Sequence, residues 1–185
     1  DIAWWALDLG SPISCKCEGS EFHPDSVPNW VTAEWDHPAN DWRPAIKLYW
    51  YDGGKLPEMP SKLLNAEALG NGALFKGDKG CLICDFNSRF LMMNDNMMHY
   101  TPRTPETLIP PSPGHAEEWI EACKTGKPTR TDFDYSGTLV EQNQLALVAY
   151  RMGKKLEYDP ETGTCPNCPE ADKYIRKPYR EGWVL

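Results

Sequence analysis

The segment AIKLYWYDGG, residues 45–54, sets the tightest limit on what this chain can fold into. Ile46, Leu48 and Trp50 alternate with Lys47, Tyr49 and Tyr51, the period of two that an extended strand turns into two faces. Asp52-Gly53-Gly54 then closes the run with turn chemistry. One face is core. The other is aromatic rather than simply charged, so a neighbour is expected to cover it. A chain with such a strand needs a sheet, with at least one side packed against another layer.

Further strands are expected around Ile13, Cys15 and Cys17, and over WVTAEWD at 30–36. GALFKGDKGCLICDF (72–86) predicts a hairpin, its glycines at 77 and 80 supplying positive φ for the turn. The chain opens on DIAWWALDLG, where Ile2, Trp5 and Leu9 recur at helical spacing and Trp4 and Leu7 widen the stripe. A Pro-rich connector at 55–70 includes a short helical piece, SKLLNAEAL, and 91–113 reads as irregular with a Met-rich patch. Two helices follow. The first spans 112–127, with Ser112 as N-cap, Pro113 at N1 and Gly126 as the stop. The second spans 136–155 and ends at Gly153; KLEYD then predicts an edge strand, and Trp183 in the tail is expected to pack back on the body. Strands first and paired helices afterwards predict an α+β fold: an open, mainly antiparallel sheet with helices on one face.

At 185 residues the chain is read as one domain, long enough for a full core. A formal charge of −8 argues against nucleic acid, since phosphate binding needs clustered Lys and Arg. The one basic cluster, Lys173–Arg180, is short and interrupted. No apolar run approaches the roughly 18–20 residues that span a bilayer, so no membrane partner is expected. The seven cysteines include one pair with metal-like spacing in a loop, Cys165 and Cys168, but no second half-site lies nearby. Cys81 and Cys84 sit in a β-like run, where i and i+3 point to opposite faces. Free thiols are the default, which favours the cytoplasm; a leader ahead of Asp1 would instead allow the periplasm.

The sequence holds no glycine-rich phosphate loop and no G-x-S-x-G elbow, and its four histidines lack metal-ligand spacing. His37 follows a strand and reads as a solvated turn residue or a ligand contact. His115, in the first helical turn, lies near unpaired N–H groups that favour a polar ligand, or is simply a first-turn polar residue. Arg103, in TPRTPE, either presents its guanidinium to a ligand or salt-bridges to a carboxylate. Tyr135, in DFDYSG, is a packing aromatic or a hydroxyl aimed at a ligand. Trp35, Trp50 and Tyr51 could form a sugar-stacking platform or an interface. These residues alone make no self-sufficient catalytic site.

The order DIAWWALDLG, WDHPAN, IKLYWYDGG, NGALFKGDKGCLI, SPGHAEEWIEACKTGKP, FDYSG and NCPEADKYIRKPYREGW resembles the C-terminal domain of Gfo/Idh/MocA oxidoreductases, in the branch abundant in Bacteroidetes and Planctomycetes. The likeness runs over essentially all of the chain, and the glycine hairpin followed by H-x-x-x-W-x-x-A and F-D-Y-S-G is its most specific part. The resemblance implies an N-terminal Rossmann domain that binds NAD or NADP and carries a catalytic Lys. It also implies a D-x-x-x-H-x-x-D stretch whose last Asp is Asp1, so that the catalytic groups precede this chain and these 185 residues alone are inactive. This domain would bind a sugar or cyclitol, pair with a sister subunit through its sheet, and dock its own Rossmann domain. By position His115 matches a substrate contact, followed by Arg103 and Tyr135, then Trp35 and His37. An NAD-dependent glycosidase of the same family and a non-catalytic carbohydrate-binding or scaffold module are the alternatives.

Overall fold

The computed structural model describes residues 1–58, 71–85, 89–93 and 110–183. Arg103, His99, the helical piece expected at 61–69 and most of the Met-rich patch lie outside them. The fold is α+β, with every strand among the described residues pairing antiparallel. The chain divides into two compact units, a finer division than the single domain read from length: Asp1, Ala3–Glu58 and Phe133–Leu185 form the first, and Met59–Asp132 with Ile2 the second.

The first unit is built on a four-stranded sheet of order β3-β2-β1-β7. Its strands are β1 (Ser14–Gly19), β2 (Val31–His37), β3 (Ile46–Tyr51) and the two-residue edge strand β7 (Leu156–Glu157). Register decides the two faces. Cys15 lies opposite Trp35 and Leu156, Trp35 opposite Leu48, and Cys17 opposite Ala33, so these side chains share one face. A long helix, α3 (Phe133–Met152), packs on β1 and buries Gln142, Leu145, Ala146, Val148 and Ala149. Positions 142, 145, 146 and 149 follow the i, i+3, i+4, i+7 stripe that a helix lays on a sheet. Gly153, at φ +64°, accepts the left-handed turn that ends it. The helix starts at Phe133 rather than Ser136, and Phe133 itself is 94% exposed. Cys165, Cys168 and Ala171 complete the core, on a turn that leads through a 3₁₀ turn (Pro169–Ala171) into the short helix α4 (Asp172–Ile175).

The opening helix, α1, covers only Ile2–Ala6. Its end is a Schellman cap: Leu9 N–H donates to Trp4 O at 3.0 Å and Asp8 N–H to Trp5 O at 3.3 Å, with Asp8 at φ +48°. Trp4 and Leu9 are buried together, whereas Trp5 is 61% exposed. The buried pair is thus the one a Schellman cap brings together, not the expected Ile2, Trp5, Leu9 stripe. Trp183 is 62% exposed, with the Arg180 guanidinium over its ring, so the tail Trp does not pack back on the body as expected.

The second unit holds a three-stranded sheet, β4 (Ala73–Lys76), β5 (Gly80–Cys84) and β6 (Arg89–Met93), and the helix α2 (His115–Thr125). The expected hairpin forms, closed by Gly77 N–H on Gly80 O at 2.8 Å. Gly80 takes φ +158° but Gly77 does not take a positive φ, so only one of the two glycines behaves as expected. Strand β6 lies partly in a stretch read as irregular. In α2 the N-cap is Gly114 rather than Ser112, whose hydroxyl accepts from Gly114 N–H at 3.3 Å. Gly126, at φ +73°, ends the helix as expected.

Candidate functional site

The face of the four-stranded sheet opposite α3 carries the richest array of polar side chains in the first unit. Alternation sends Ser14, Lys16 and Glu18 of β1, Thr32, Glu34 and Asp36 of β2, and Lys47, Tyr49 and Tyr51 of β3 to this side. Register then sets them in rows. Ser14, Asp36 and Lys47 lie abreast, next come Lys16, Glu34 and Tyr49, and then Glu18, Thr32 and Tyr51.

Asp36 is the hub of the first row. Its carboxylate accepts from Ser14 Oγ at 2.5 Å, Lys155 Nζ at 2.6 Å and Lys47 Nζ at 2.7 Å. The Lys155 and Lys47 ammonium groups, then the Ser14 hydroxyl, hold this carboxyl well below the usual range. Lys47 also pairs with Glu34, and its own basicity is raised by the two carboxylates. At the other end the Tyr49 and Tyr51 rings stack, with centroids 6.4 Å apart and planes 24° from parallel. Between these features lies a shallow cavity of about 210 Å³, lined by Lys16, Glu18, Thr32, Glu34, Tyr49 and Tyr51. Ammonium and hydroxyl donors alternate there with carboxylate acceptors beside an aromatic pair. A polyol offers matching chemistry, since each hydroxyl both donates and accepts and the C–H faces of a sugar ring lie well on aromatic rings.

The residues singled out from the sequence fall in different places. Trp35 and His37 face the opposite way, into the core under α3, at 3% and 1% exposure. Trp35 Nε1 donates to the Gln142 carbonyl at 3.0 Å. His37 is therefore neither a solvated turn residue nor open to a ligand. It meets the Trp4 ring edge-on at 6.2 Å, and its nitrogens, like Gln142 Oε1, find no partner in good hydrogen-bond geometry. Burial lowers its basicity, and the nearby Gln142 side chain and Gly10 backbone only partly restore it. Trp50 shares the face of Trp35 while Tyr51 is on the other, so the three cannot form one platform.

Tyr135, half-buried in the first turns of α3, donates its hydroxyl to Asp1 Oδ1 at 2.5 Å. His115 belongs to the second unit, exposed at the head of α2. Arg103 lies outside the described residues. Among those residues no group of three or more His, Cys, Asp or Glu side chains is placed to hold a metal ion, and no helix is long and apolar enough to cross a membrane.

Sequence reading missed two features. The Asp36 hub was hidden because pairing register, not local pattern, brings Ser14, Lys47 and Lys155 to it. Arg43 is buried, and its guanidinium donates to the carbonyls of Leu7 at 2.6 Å, Pro38 at 2.7 Å, Pro44 at 3.1 Å and Asp8 at 3.4 Å. It ties the carbonyls at the end of α1 to those of its own loop, a role no local spacing announces. No family model matches the chain, and no curated protein matches it at significant similarity.

Proposed function

We propose that this chain is the substrate-binding and oligomerisation domain of an NAD(P)-dependent oxidoreductase of the Gfo/Idh/MocA type, acting on a secondary hydroxyl of a sugar or cyclitol. The observation that carries the reading is the Tyr135–Asp1 hydrogen bond at 2.5 Å. It joins DIAWW to FDYSG, two of the segments on which the resemblance rests, although they lie 134 positions apart. The open sheet face supports the same reading. Its charged and aromatic rows suit either polyol hydroxyls or a second copy of the sheet, and an exposed Tyr49 stacked on a half-buried Tyr51 is costly without an occupant.

The resemblance, rather than any residue of this chain, assigns dinucleotide binding to a Rossmann domain. When bound, the nicotinamide would accept the hydride. The contribution of these residues is on the substrate side. Tyr135 fixes the chain at Asp1, and His115 offers an imidazole that can donate to or accept from a hydroxyl.

The test uses the full-length protein with NAD or NADP, a panel of polyols and sugars, and aryl glycosides. Polyol-dependent, stoichiometric formation of the reduced dinucleotide is expected. Release of the aryl group with NAD in catalytic amount would assign the glycosidase chemistry instead. Absence of dinucleotide binding would leave the non-catalytic module.

A further inference from the structure

The turn Cys165-Pro166-Asn167-Cys168 carries two free thiols at a spacing that no substrate-side role uses. Cys168 N–H donates to Cys165 O at 2.8 Å, which closes a tight turn. The ends of such a turn lie within about 7 Å at Cα. A disulfide spans about 4.4–6.8 Å between the same atoms, so the backbone is already folded for one. Asn167 holds the turn in place: its Oδ1 accepts from Glu157 N–H at 2.9 Å and its Nδ2 donates to Lys155 O at 3.0 Å, straddling β7 as a neighbouring strand would. The ordering entropy of ring closure is thereby largely spent in the dithiol form.

The two thiols differ in their surroundings. Cys165 is 3% exposed, and burial followed by the adjacent Cys168 pushes its thiol up. Cys168 is buried more fully still, at 0% exposure, yet the exposed Lys154 and Glu170 side chains, which pair with each other at 3.0 Å, both reach its sulfur. Those two flexible side chains stand between Cys168 and solvent. Movement of these two surface side chains is the route by which an oxidant would reach the Cys168 sulfur.

We propose that Cys165 and Cys168 are a reversible dithiol–disulfide couple, with Cys168 the entry thiol and a low-molecular-weight disulfide its oxidant. The Cys168 thiolate attacks one sulfur of the oxidant; a Cys168–S bond forms, the oxidant's S–S bond breaks and one thiolate leaves. Cys165 then gives up its proton to solvent and attacks the Cys168 sulfur, expelling the second thiol and closing the ring. The protein loses two electrons and two protons, and the oxidant becomes two thiols. The couple stands independently of the oxidoreductase reading, since it needs neither dinucleotide nor polyol.

The folded 185-residue chain is equilibrated over a series of oxidised-to-reduced glutathione ratios, quenched in acid, alkylated, digested and weighed. The peptide containing positions 165 and 168 is expected to become two hydrogens lighter and lose both alkyl groups, while the other five cysteines stay alkylated. Cys165→Ser is expected to accumulate glutathione on Cys168, because the resolving thiol is gone. The proposal is overturned if positions 165 and 168 stay alkylatable at every ratio, or if Cys15 becomes the partner of either. Glutathione accumulating on Cys165 in Cys168→Ser, with none on Cys168 in Cys165→Ser, would overturn the order of attack.

Discussion

His37 shows how a single residue can be misplaced by local pattern and placed by parity. It follows Trp35-Asp36 at the end of a strand, where a polar residue ordinarily meets water. Yet it stands two positions from Trp35 and four from Ala33, and period two puts all three on the buried face. The consequence is a pH dependence of folding. The neutral ring is the form that fits beside the Gln142 amide and the Gly10 backbone, with the Arg43 guanidinium opposing its charge and the Asp36 carboxylate, on the other face of the strand, favouring it only weakly. Because burial lowers its folded pKa, the unfolded chain binds the extra proton first. Stability is therefore complete above the unfolded value of about 6.5 and falls as pH drops below it. Denaturant titrations should show that loss setting in between about pH 6.5 and 5, and His37→Phe should abolish it. An equal loss in the variant would show that other groups titrate there. On the opposite face of β2, Asp36→Asn should cost about 1–2 kcal/mol by removing the negative charge that pairs with two ammonium groups that are themselves half-exposed.

Among the elements, the strands were the most legible, because alternation is a local property of β2 and β3. The short opening helix was legible as a helix but not in its facing. Its end is governed by Asp8 in the left-handed region and by Arg43, which lies 35 positions further on. Arg43→Met would strand four carbonyls in a buried place and should cost roughly 2–4 kcal/mol in denaturant unfolding. Hydrogen exchange should speed at Leu7 and Leu9 ahead of the sheet if the guanidinium holds the cap. Asp8→Gly removes the strain of a non-glycine residue at φ +48° and should be neutral or stabilising by up to about 1 kcal/mol. The β3 turn is less forgiving. A Cβ on Gly53, at φ +59°, would clash with the Asn29 carbonyl and the Trp30 Cβ. Gly53→Ala should therefore destabilise the first unit by roughly 2–4 kcal/mol.

At the scale of the whole molecule, the sequence made the α+β class readable from the order of its patterns. The candidate site stayed hidden because its members come from three strands and from the Lys155 position, joined only by register. In the proposed reading, the exposed rows on that sheet face meet a second copy. Sedimentation of the chain should reveal self-association that Tyr49→Glu weakens, since the added charge would lie at the edge strand between the two copies. A monomer at all concentrations would count against pairing through this face. The central claim, that these residues are the substrate side of a nicotinamide-dependent oxidoreductase, is tested most directly by the absorbance of reduced dinucleotide when the full-length protein meets NAD(P) and a series of polyols. The account predicts one equivalent of NADH or NADPH per polyol oxidised. A full-length protein that binds no nicotinamide dinucleotide would contradict it.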